Sequence, residues 1–382
     1  MSRPRAAVSI LYEGGVSVRV IICGGGVIGA AIAYFLSRRG AEPIVIERTG
    51  LACAASGKSG GFLALDWCDG TALEDLARRS FALHARLPEE IGGDWCYRRL
   101  DTFGGVIGSG VDPRSFGRPS GAGWVADGVT IHRRLGSPES TAQVHPASFT
   151  RALMRAAELG GAEVRIGQVS GVLRGRSGDT VVGVEVGGEE LFGDAVVIAM
   201  GPWSILASAW LPLPAVFGLK GHSILFDTGT QMPAEALFLE QRDVGGTSSP
   251  EVFPRSNGTT YVCGLSSRSG LPVDPAEVAP DPGAIERLQE ICADLSPVLA
   301  RSPVLARQAC FRPITTDGLP LIGRVKGVKG CYVATGHSVW GILNAPATGE
   351  AMAELILDGD TTTIDLTAFD PGRMAPAPPP PV

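Results

Sequence analysis

Gly24, Gly26 and Gly29 stand in G-x-G-x-x-G spacing directly after an apolar stretch, residues 18–23, and an acid, Glu47, closes a second apolar stretch, 43–47. Together these residue types suit the grip on an adenine dinucleotide. Gly24 permits a tight turn, Gly26 lets the backbone approach a pyrophosphate, and Gly29 lets a helix pack closely on a strand. Val27 and Ile28 belong to the same turn, and the positive N-terminus of the helix after it meets the diphosphate. Glu47 lies about 20 residues beyond the glycines, where a carboxylate accepts hydrogen bonds from ribose hydroxyls. A glycine-rich turn in some other α/β protein is the alternative, but it accounts for the turn alone and not for strand, helix and acid together.

A second feature lies near the end of the chain. The glycine-rich turn Gly341-Ile342-Leu343 leads into a helix expected to begin near Asn344-Ala345-Pro346. Its unpaired N–H groups and dipole would point at whatever precedes them. A proline that merely opens a packing helix is the plainer reading.

The elements that must position these features alternate along the chain. Helices are expected at 30–38, at 72–87 (opened by the capping pattern Thr71-x-x-Glu74 and closed by Pro88), at 147–159 (stopped by Gly160-Gly161), at 283–295 and at 346–357. Strands are expected at 163–166, 171–173, 181–186 and 195–199, the middle pair as a hairpin or meander, with 331–334 before the last helix. Stretches 224–226, 237–239 and 261–264 read as strands of a different sheet. This is an α/β pattern: a Rossmann-like dinucleotide domain joined to a second, mixed-sheet domain.

Composition bounds the partners. The chain has 382 residues, enough for about two domains, and a net charge of -6 offers no basic surface for nucleic acid. The longest uncharged run, 195–219, is broken by Gly201, Pro202, Pro212 and Pro214, so no membrane span is expected. Eight cysteines without a C-x-x-C pair read as reduced thiols of an intracellular protein, cytoplasmic or organellar, with no metal site. The first residues carry Arg3 and Arg5 but lack the apolar stretch of a secretory signal, which leaves a short organellar targeting segment open. The closing APAPPPPV reads as an extended, disordered tail.

Three further stretches carry a resemblance. Residues 54–61, Ala-Ala-Ser-Gly-Lys-Ser-Gly-Gly, resemble the second flavin-contacting loop of the D-amino-acid oxidase, glycine oxidase and sarcosine oxidase family of FAD-dependent oxidoreductases. Residues 194–203, DAVVIAMGPW, are similar to that family's strand and turn beside the dinucleotide. FRPITTDGLPLIG followed by ATGHSVWGILNAPATGE resembles its closing flavin motif. The resemblance spans nearly the whole chain, comes nearest to the widespread FAD-dependent oxidoreductases of eukaryotes, and is weaker across the middle.

It implies FAD as cofactor, held by Gly24, Gly26, Val27, Ile28, Gly29, Glu47, Arg48, Ser56, Gly57, Lys58, Gly60, Gly61, Val169, Gly201, Trp203, Arg312, Gly336, Gly341, Ile342 and Leu343. It implies a discontinuous FAD domain at 17–85, 142–216 and 305–372 and a substrate domain at 86–141 and 217–304, with a flexible start at 1–16 and a proline-rich tail at 373–382. The implied reaction is oxidation of a C–N bond in an amino acid or secondary-amine carboxylate, with oxygen or another electron acceptor.

Arg312, His337, Trp340 and Lys220 are the catalytic candidates. In the resembling oxidases an arginine at the position of Arg312 forks onto the substrate carboxylate, a task that suits a guanidinium; pairing with Asp317 is the structural alternative. His337 would align substrate or bond the flavin edge, or be a satisfied structural group. Lys220 would line the pocket or stand solvated at a strand start, and His222 nearby is a further polar candidate. Lys58 would draw oxygen chemistry to the flavin, or serve a phosphate or the surface. Glycine oxidases carry an arginine where this chain has Val339, which implies a larger or more apolar pocket next to Trp340. Cys310 stands seven residues before Asp317, the place of the covalent flavin cysteine in monomeric sarcosine oxidases; a small buried residue is the other reading. Tyr97, Arg98 and Arg99 form a polar cluster that either faces the flavin or decorates a sheet edge.

A nicotinamide dehydrogenase would not need the second glycine loop or the closing motif. A quinone- or protein-linked dehydrogenase of the same architecture, or a flavin-stabilised binding or trafficking factor, remains open from sequence.

Overall fold

The computed structural model describes residues 17–108, 124–243 and 246–378. The expected flexible start and residues 379–382 of the tail lie outside them.

In chain order the elements are β1 (Arg19–Cys23), α1 (Val27–Ser37), β2 (Glu42–Glu47), α2 (Ala55–Lys58), β3 (Phe62–Ala64), α3 (Glu74–Leu87), β4 (Arg98–Arg99), β5 (Asp101–Ile107), β6 (Val129–Gly136) and β7 (Thr141–Gln143). Next come α4 (Pro146–Leu159), β8 (Glu163–Ile166), β9 (Val169–Arg174), β10 (Val181–Val186), β11 (Glu189–Phe192), β12 (Ala195–Ile198), β13 (Phe217–Asp227), β14 (Glu235–Asp243), β15 (Gly246–Ser248), β16 (Glu251–Pro254) and β17 (Thr259–Ser267). The chain closes with α5 (Ala284–Leu295), α6 (Pro297–Arg301), β18 (Val304–Ile314), β19 (Leu321–Arg324), β20 (Cys331–Thr335) and α7 (Gly341–Leu357).

Six strands form one sheet in the order β19-β20-β12-β1-β2-β8, parallel except at β19. Val20, Ile21, Ile22 and Cys23 of β1 are completely buried because both faces are covered, which is why that strand reads as an unbroken apolar run. Helices α1, α4 and α7 pack on one face, and the β9-β10-β11 meander packs on the other. An eight-stranded mixed sheet, order β18-β13-β17-β16-β14-β5-β6 with β15 on β14, forms the second layer system, backed by α5 and α6. The expected architecture is therefore present: a Rossmann-like sheet and a separate mixed sheet. Among the described residues no helix is long and apolar enough to cross a membrane.

Helix α1 begins at Val27 rather than residue 30, the strands expected at 224–226, 237–239 and 261–264 are longer, as β13, β14 and β17, and four further differences have a local cause. Helix α3 begins at Glu74 rather than residue 72, because Thr71 Oγ1 accepts from Leu73 N–H (3.2 Å) and Glu74 reaches back to Gly70 N–H (2.8 Å), so the cap residues form a turn ahead of the helix. Pro88 does not end the helical path; a wide π turn, Pro88–Gly92, continues it, since a proline is tolerated where its missing N–H is not needed. The start of the tail is not free: Ala377 N–H donates to Leu213 O at 2.8 Å, and Pro376 pairs with Pro214.

The fourth difference matters most. Helix α7 starts at Gly341, so Pro346 lies inside it and not at its head. A proline there removes the bond that Ile342 O would accept and strains the turn. Helix α3 repairs the defect from outside. His84 Nε2 donates to Ile342 O (2.9 Å) and lies 3.2 Å from Leu343 O, while Ser80 Oγ accepts from Ala347 N–H (3.0 Å). On its other side α7 meets α1 without intervening side chains: a Cβ on Gly349 would stand 2.6 Å from the Ala31 carbonyl carbon.

His84 is completely buried, and burial pushes its imidazole down to about 4 from an ordinary 6.5. It is therefore neutral when folded and takes a proton near 6.5 when unfolded. This contribution to stability is complete above that value and is lost as the pH falls from 6.5 towards 4. His84→Ala should lower stability at pH 7.5 by about 2 kcal/mol, through the stranded carbonyls, and should make the loss between pH 7 and pH 5 shallower. Denaturant midpoints at the two pH values check both; identical midpoints for the variant and the parent would remove His84 from this role.

Candidate active site

The carboxyl ends of β1, β2, β12 and β20 all open on one edge of the six-stranded sheet, where open α/β sheets place their ligands. Gly24, Glu47, Met200 and Thr335, at or just past those ends, line a cavity of about 780 Å³ whose wall draws on both sheets. The start of α1 stands in its wall. Gly26, its N-cap, brings no side chain to the helix end, and only Ser56 Oγ reaches in, accepting from Val27 N–H at 2.9 Å. Gly24 holds φ +117°, and a Cβ on it would meet Ala199 O at 2.4 Å; Gly29 would strike Gly24 O at 2.0 Å. Glu47 accepts from Gly25 N–H (2.7 Å) and Thr49 N–H (2.9 Å), which fixes its carboxylate in the cavity wall. The start of α7, also without a side-chain cap, stands in the wall of the same cavity with Gly341 and Ile342. Two helix N-termini thus address one cavity, a donor arrangement that fits an anionic dinucleotide.

The middle is walled by both sheets. Val169, Gly201 and Trp203 line it, as do Arg48, Gly60 and Gly61. Trp203 Nε1 donates to Pro272 O (2.7 Å) and Arg48 Nη1 to Val273 O (3.1 Å), so a loop of the second layer is tied down over the α1 end. Gly60 has no room for a side chain, since a Cβ would lie 2.4 Å from the Phe253 ring.

Near α7 the wall is aromatic. Phe62 and Phe253 stack at 5.6 Å, Phe238 meets Phe62 edge-on at 4.9 Å, and Trp67 stands 4.8 Å from Phe238 and 6.3 Å from Trp340. The eight-stranded sheet contributes Arg312, Cys310, Tyr261, Cys263 and Glu251. Arg312 does not pair with Asp317. Arg373 takes that carboxylate bidentately at 2.8 and 3.1 Å, and among the described residues Arg312 donates to Ser266 Oγ alone, from Nη1 at 3.3 Å.

Several candidates stand elsewhere or act otherwise. Lys220 does not line the cavity and is not solvated; its ammonium lies 2.6 Å from Asp281, whose carboxyl is held well below its ordinary range by Lys220 and Ser267. His222 borders the cavity but accepts from Asp281 N–H at 3.2 Å and so belongs to the same network. His337 lines the cavity, buried, with Nε2 3.0 Å from Thr348 Oγ1, and burial pushes it down to about 3. Gly29, Gly57, Lys58, Gly336 and Leu343 are not in the wall. Gly57 packs its backbone on Ala52, Gly336 turns with φ +80°, Leu343 is core, and Lys58 offers its carbonyl to Cys310 Sγ at 3.9 Å. Arg98 donates to Pro254 O at 2.5 Å, and Arg99 lies over the Phe81 ring; with Tyr97 they stand outside the cavity wall. Among the described residues no group of three or more His, Cys, Asp or Glu is placed to hold a metal ion.

Sequence reasoning passed over Glu251, Phe62, Trp67, Phe238, Phe253 and Tyr261. The alternation of Glu251 and Phe253 on one strand marked a shared face, but only the pairing of β16 with β17 and β14 turns that face to the cavity.

Residues 19–109 and 121–355 match the DAO family, described as FAD dependent oxidoreductase. The chain belongs to this family. A Schizosaccharomyces pombe protein named as an oxidoreductase is 30% identical, covering 93% of this chain and 98% of its own. The glycine oxidase of Pseudomonas aeruginosa is 29% identical over 94% of this chain and 100% of its own. The crystal structure of glycine oxidase from Geobacillus kaustophilus has the same fold, with a TM-score of 0.79 at 24% identity over 94% of this chain and 100% of that one. The protein is an FAD-dependent oxidoreductase, and the cavity fits that cofactor: the α1 turn and Glu47 would hold its diphosphate and ribose, and the α7 turn its ring.

Glu47→Ala should weaken FAD binding about tenfold or more, since charge-assisted bonds to ribose are lost. Titration of apoprotein with FAD, followed by flavin fluorescence, reads this; an unchanged affinity would displace the ribose from Glu47. Cys310 is buried with its thiol pushed up and bonded to a carbonyl, a poor state for attack by a thiolate. Acid precipitation should therefore leave all yellow colour in the supernatant, and colour retained in the pellet would show a covalent bond.

Proposed function

We propose that the protein oxidises the C–N bond of an amino acid or of a secondary amine bearing a carboxylate, giving an imine that water hydrolyses, with oxygen as final acceptor and hydrogen peroxide as product. The observation that carries this reading is Arg312, a guanidinium that faces the cavity near α7 with no carboxylate partner among the described residues. A fixed, permanently charged fork of that kind would bind a substrate carboxylate bidentately. FAD, when bound, supplies the two-electron acceptor. The chain's own residues then align and desolvate the substrate: Arg312 holds its carboxylate, and the aromatic wall excludes water and takes an apolar or N-alkyl portion. The unpaired N–H groups at the start of α7 favour negative charge placed before them.

His337 is held neutral and turned towards Thr348, so it would position the turn into α7 rather than carry protons near neutral pH. The glycine oxidase relative supports an amino-acid substrate and oxygen as acceptor by its name. Val339 in place of the arginine of that group, together with the aromatic rings that line the cavity near α7, favours a substrate bulkier than glycine.

Under anaerobic conditions, a panel of amino acids of both configurations and their N-methyl derivatives should include members that bleach the flavin, with colour and peroxide returning on admission of air. Arg312→Lys should raise KM for the best member about 100-fold with a smaller change in kcat, as expected for loss of a bidentate contact. A panel that never bleaches the flavin would contradict amine oxidation; bleaching without recovery in air would assign another acceptor.

A further inference from the structure

Arg312 is not alone on its face of the eight-stranded sheet. It projects from β18, and its head lies across the neighbouring strand β13, where Gly221 has no side chain; a Cβ there would stand 3.1 Å from Arg312 Nη2. Its Nη1 reaches Ser266 on β17, the next strand over. Glu251 approaches β17 from the opposite side. It sits on β16 directly across from Cys263, and its Oε2 accepts from Cys263 Sγ at 3.5 Å. Adjacent strands are about 4.8 Å apart, so the strands that carry the two residues are separated by about 14 Å. Both heads therefore lean inward over a floor of small residues. They do not form an ion pair, and neither has another charged partner among the described residues.

A cation and an acid that converge over one small floor, inside a cavity and without touching, are the counter-image of a zwitterion. We infer that Glu251 receives the substrate's amine while Arg312 holds its carboxylate, so that Glu251 is a specificity-determining residue of the proposed reaction. This inference rests on the amine-oxidation reading given above. Burial pushes the Glu251 carboxyl up, and Arg312 draws it partly back, so it is suited to take a proton as well as to hold one. An amino acid arrives as an ammonium, which has no lone pair to assist loss of hydride. When Glu251 takes one proton, an N–H bond breaks, an O–H bond forms on the carboxyl, and the electron pair stays on nitrogen. The free amine is then in place beside a neutral acid. Phe253, two residues along the same strand, and Phe238 on β14, paired with Glu251, place apolar rings beside the carboxyl.

The test uses the FAD-loaded protein and ligands that cannot be oxidised because they carry no α-hydrogen. Matched pairs differ only by an ammonium exchanged for a methyl group: 2-methylalanine with 2,2-dimethylpropanoate, and both enantiomers of α-methylphenylalanine with 2,2-dimethyl-3-phenylpropanoate. Binding is followed by the flavin absorbance change and by calorimetry. The native protein should prefer the amine-bearing member by about tenfold or more, the range of a charge-assisted hydrogen bond. Glu251→Gln should abolish that preference while the amine-free member binds within about threefold of before, Glu251→Asp should restore part of it, and Arg312→Ala should weaken both members. A preference that survives Glu251→Gln would overturn the role of Glu251 and leave the carboxylate site of Arg312 standing. Absence of binding by every carboxylate in the native protein would instead remove the amine-oxidation reading itself, and this inference with it.

Discussion

The structure depends on the direct contact between α1 and α7. Gly349 lies so close to Ala31 that no side chain fits between the two backbones, and α1 buries nearly every residue it has. Each helix follows the carboxyl end of a parallel strand, β1 or β20, and so each presents its N-terminus to the same edge of the sheet. Because the helices are locked together, the two positive ends stand at a fixed separation along one cavity. A dinucleotide that spans it would be bound at its diphosphate and at its ring by dipoles that need no rearrangement, which is how such sites act on developing charge.

That arrangement requires α7 to begin well before Pro346, and a helix interior does not ordinarily tolerate proline. The cost is met locally by His84 and Ser80, which replace the bonding partners that the kinked turn lacks. Two buried polar side chains on α3 thus hold the first turn of α7, the one that faces the proposed ring site. The same logic explains why His84 must remain neutral. A charged imidazole in that closed setting would have neither water nor a carboxylate to stabilise it.

Much of this was legible in the residues. The glycine spacing, the apolar runs and Glu47 specify the opening unit because each obeys a local rule; β1 and β2 lie where those rules put them, and α1 begins three residues earlier than expected, at Val27. The pairing of β9 with β10 and the helix stopped by Gly160-Gly161 were legible for the same reason, whereas the third strand of the meander, β11, was not expected. The start of α7 was not, because a proline normally marks a helix head and the repair comes from a segment more than 250 positions away. Lys220 was misplaced for a similar reason: nothing local announces that Asp281, 61 positions on, will hold it. Glu251 and the aromatic wall depend on sheet order, β17 beside β16 beside β14, which no local pattern encodes.

A crystal structure of the FAD-loaded protein measures the central claim directly. The account predicts the diphosphate against the N–H groups at Gly26, Val27 and Ile28, and the pyrimidine edge of the ring against Gly341 and Ile342, with Arg312 and Glu251 across from the ring. A ring bound away from the start of α7, or a diphosphate away from the start of α1, would contradict it.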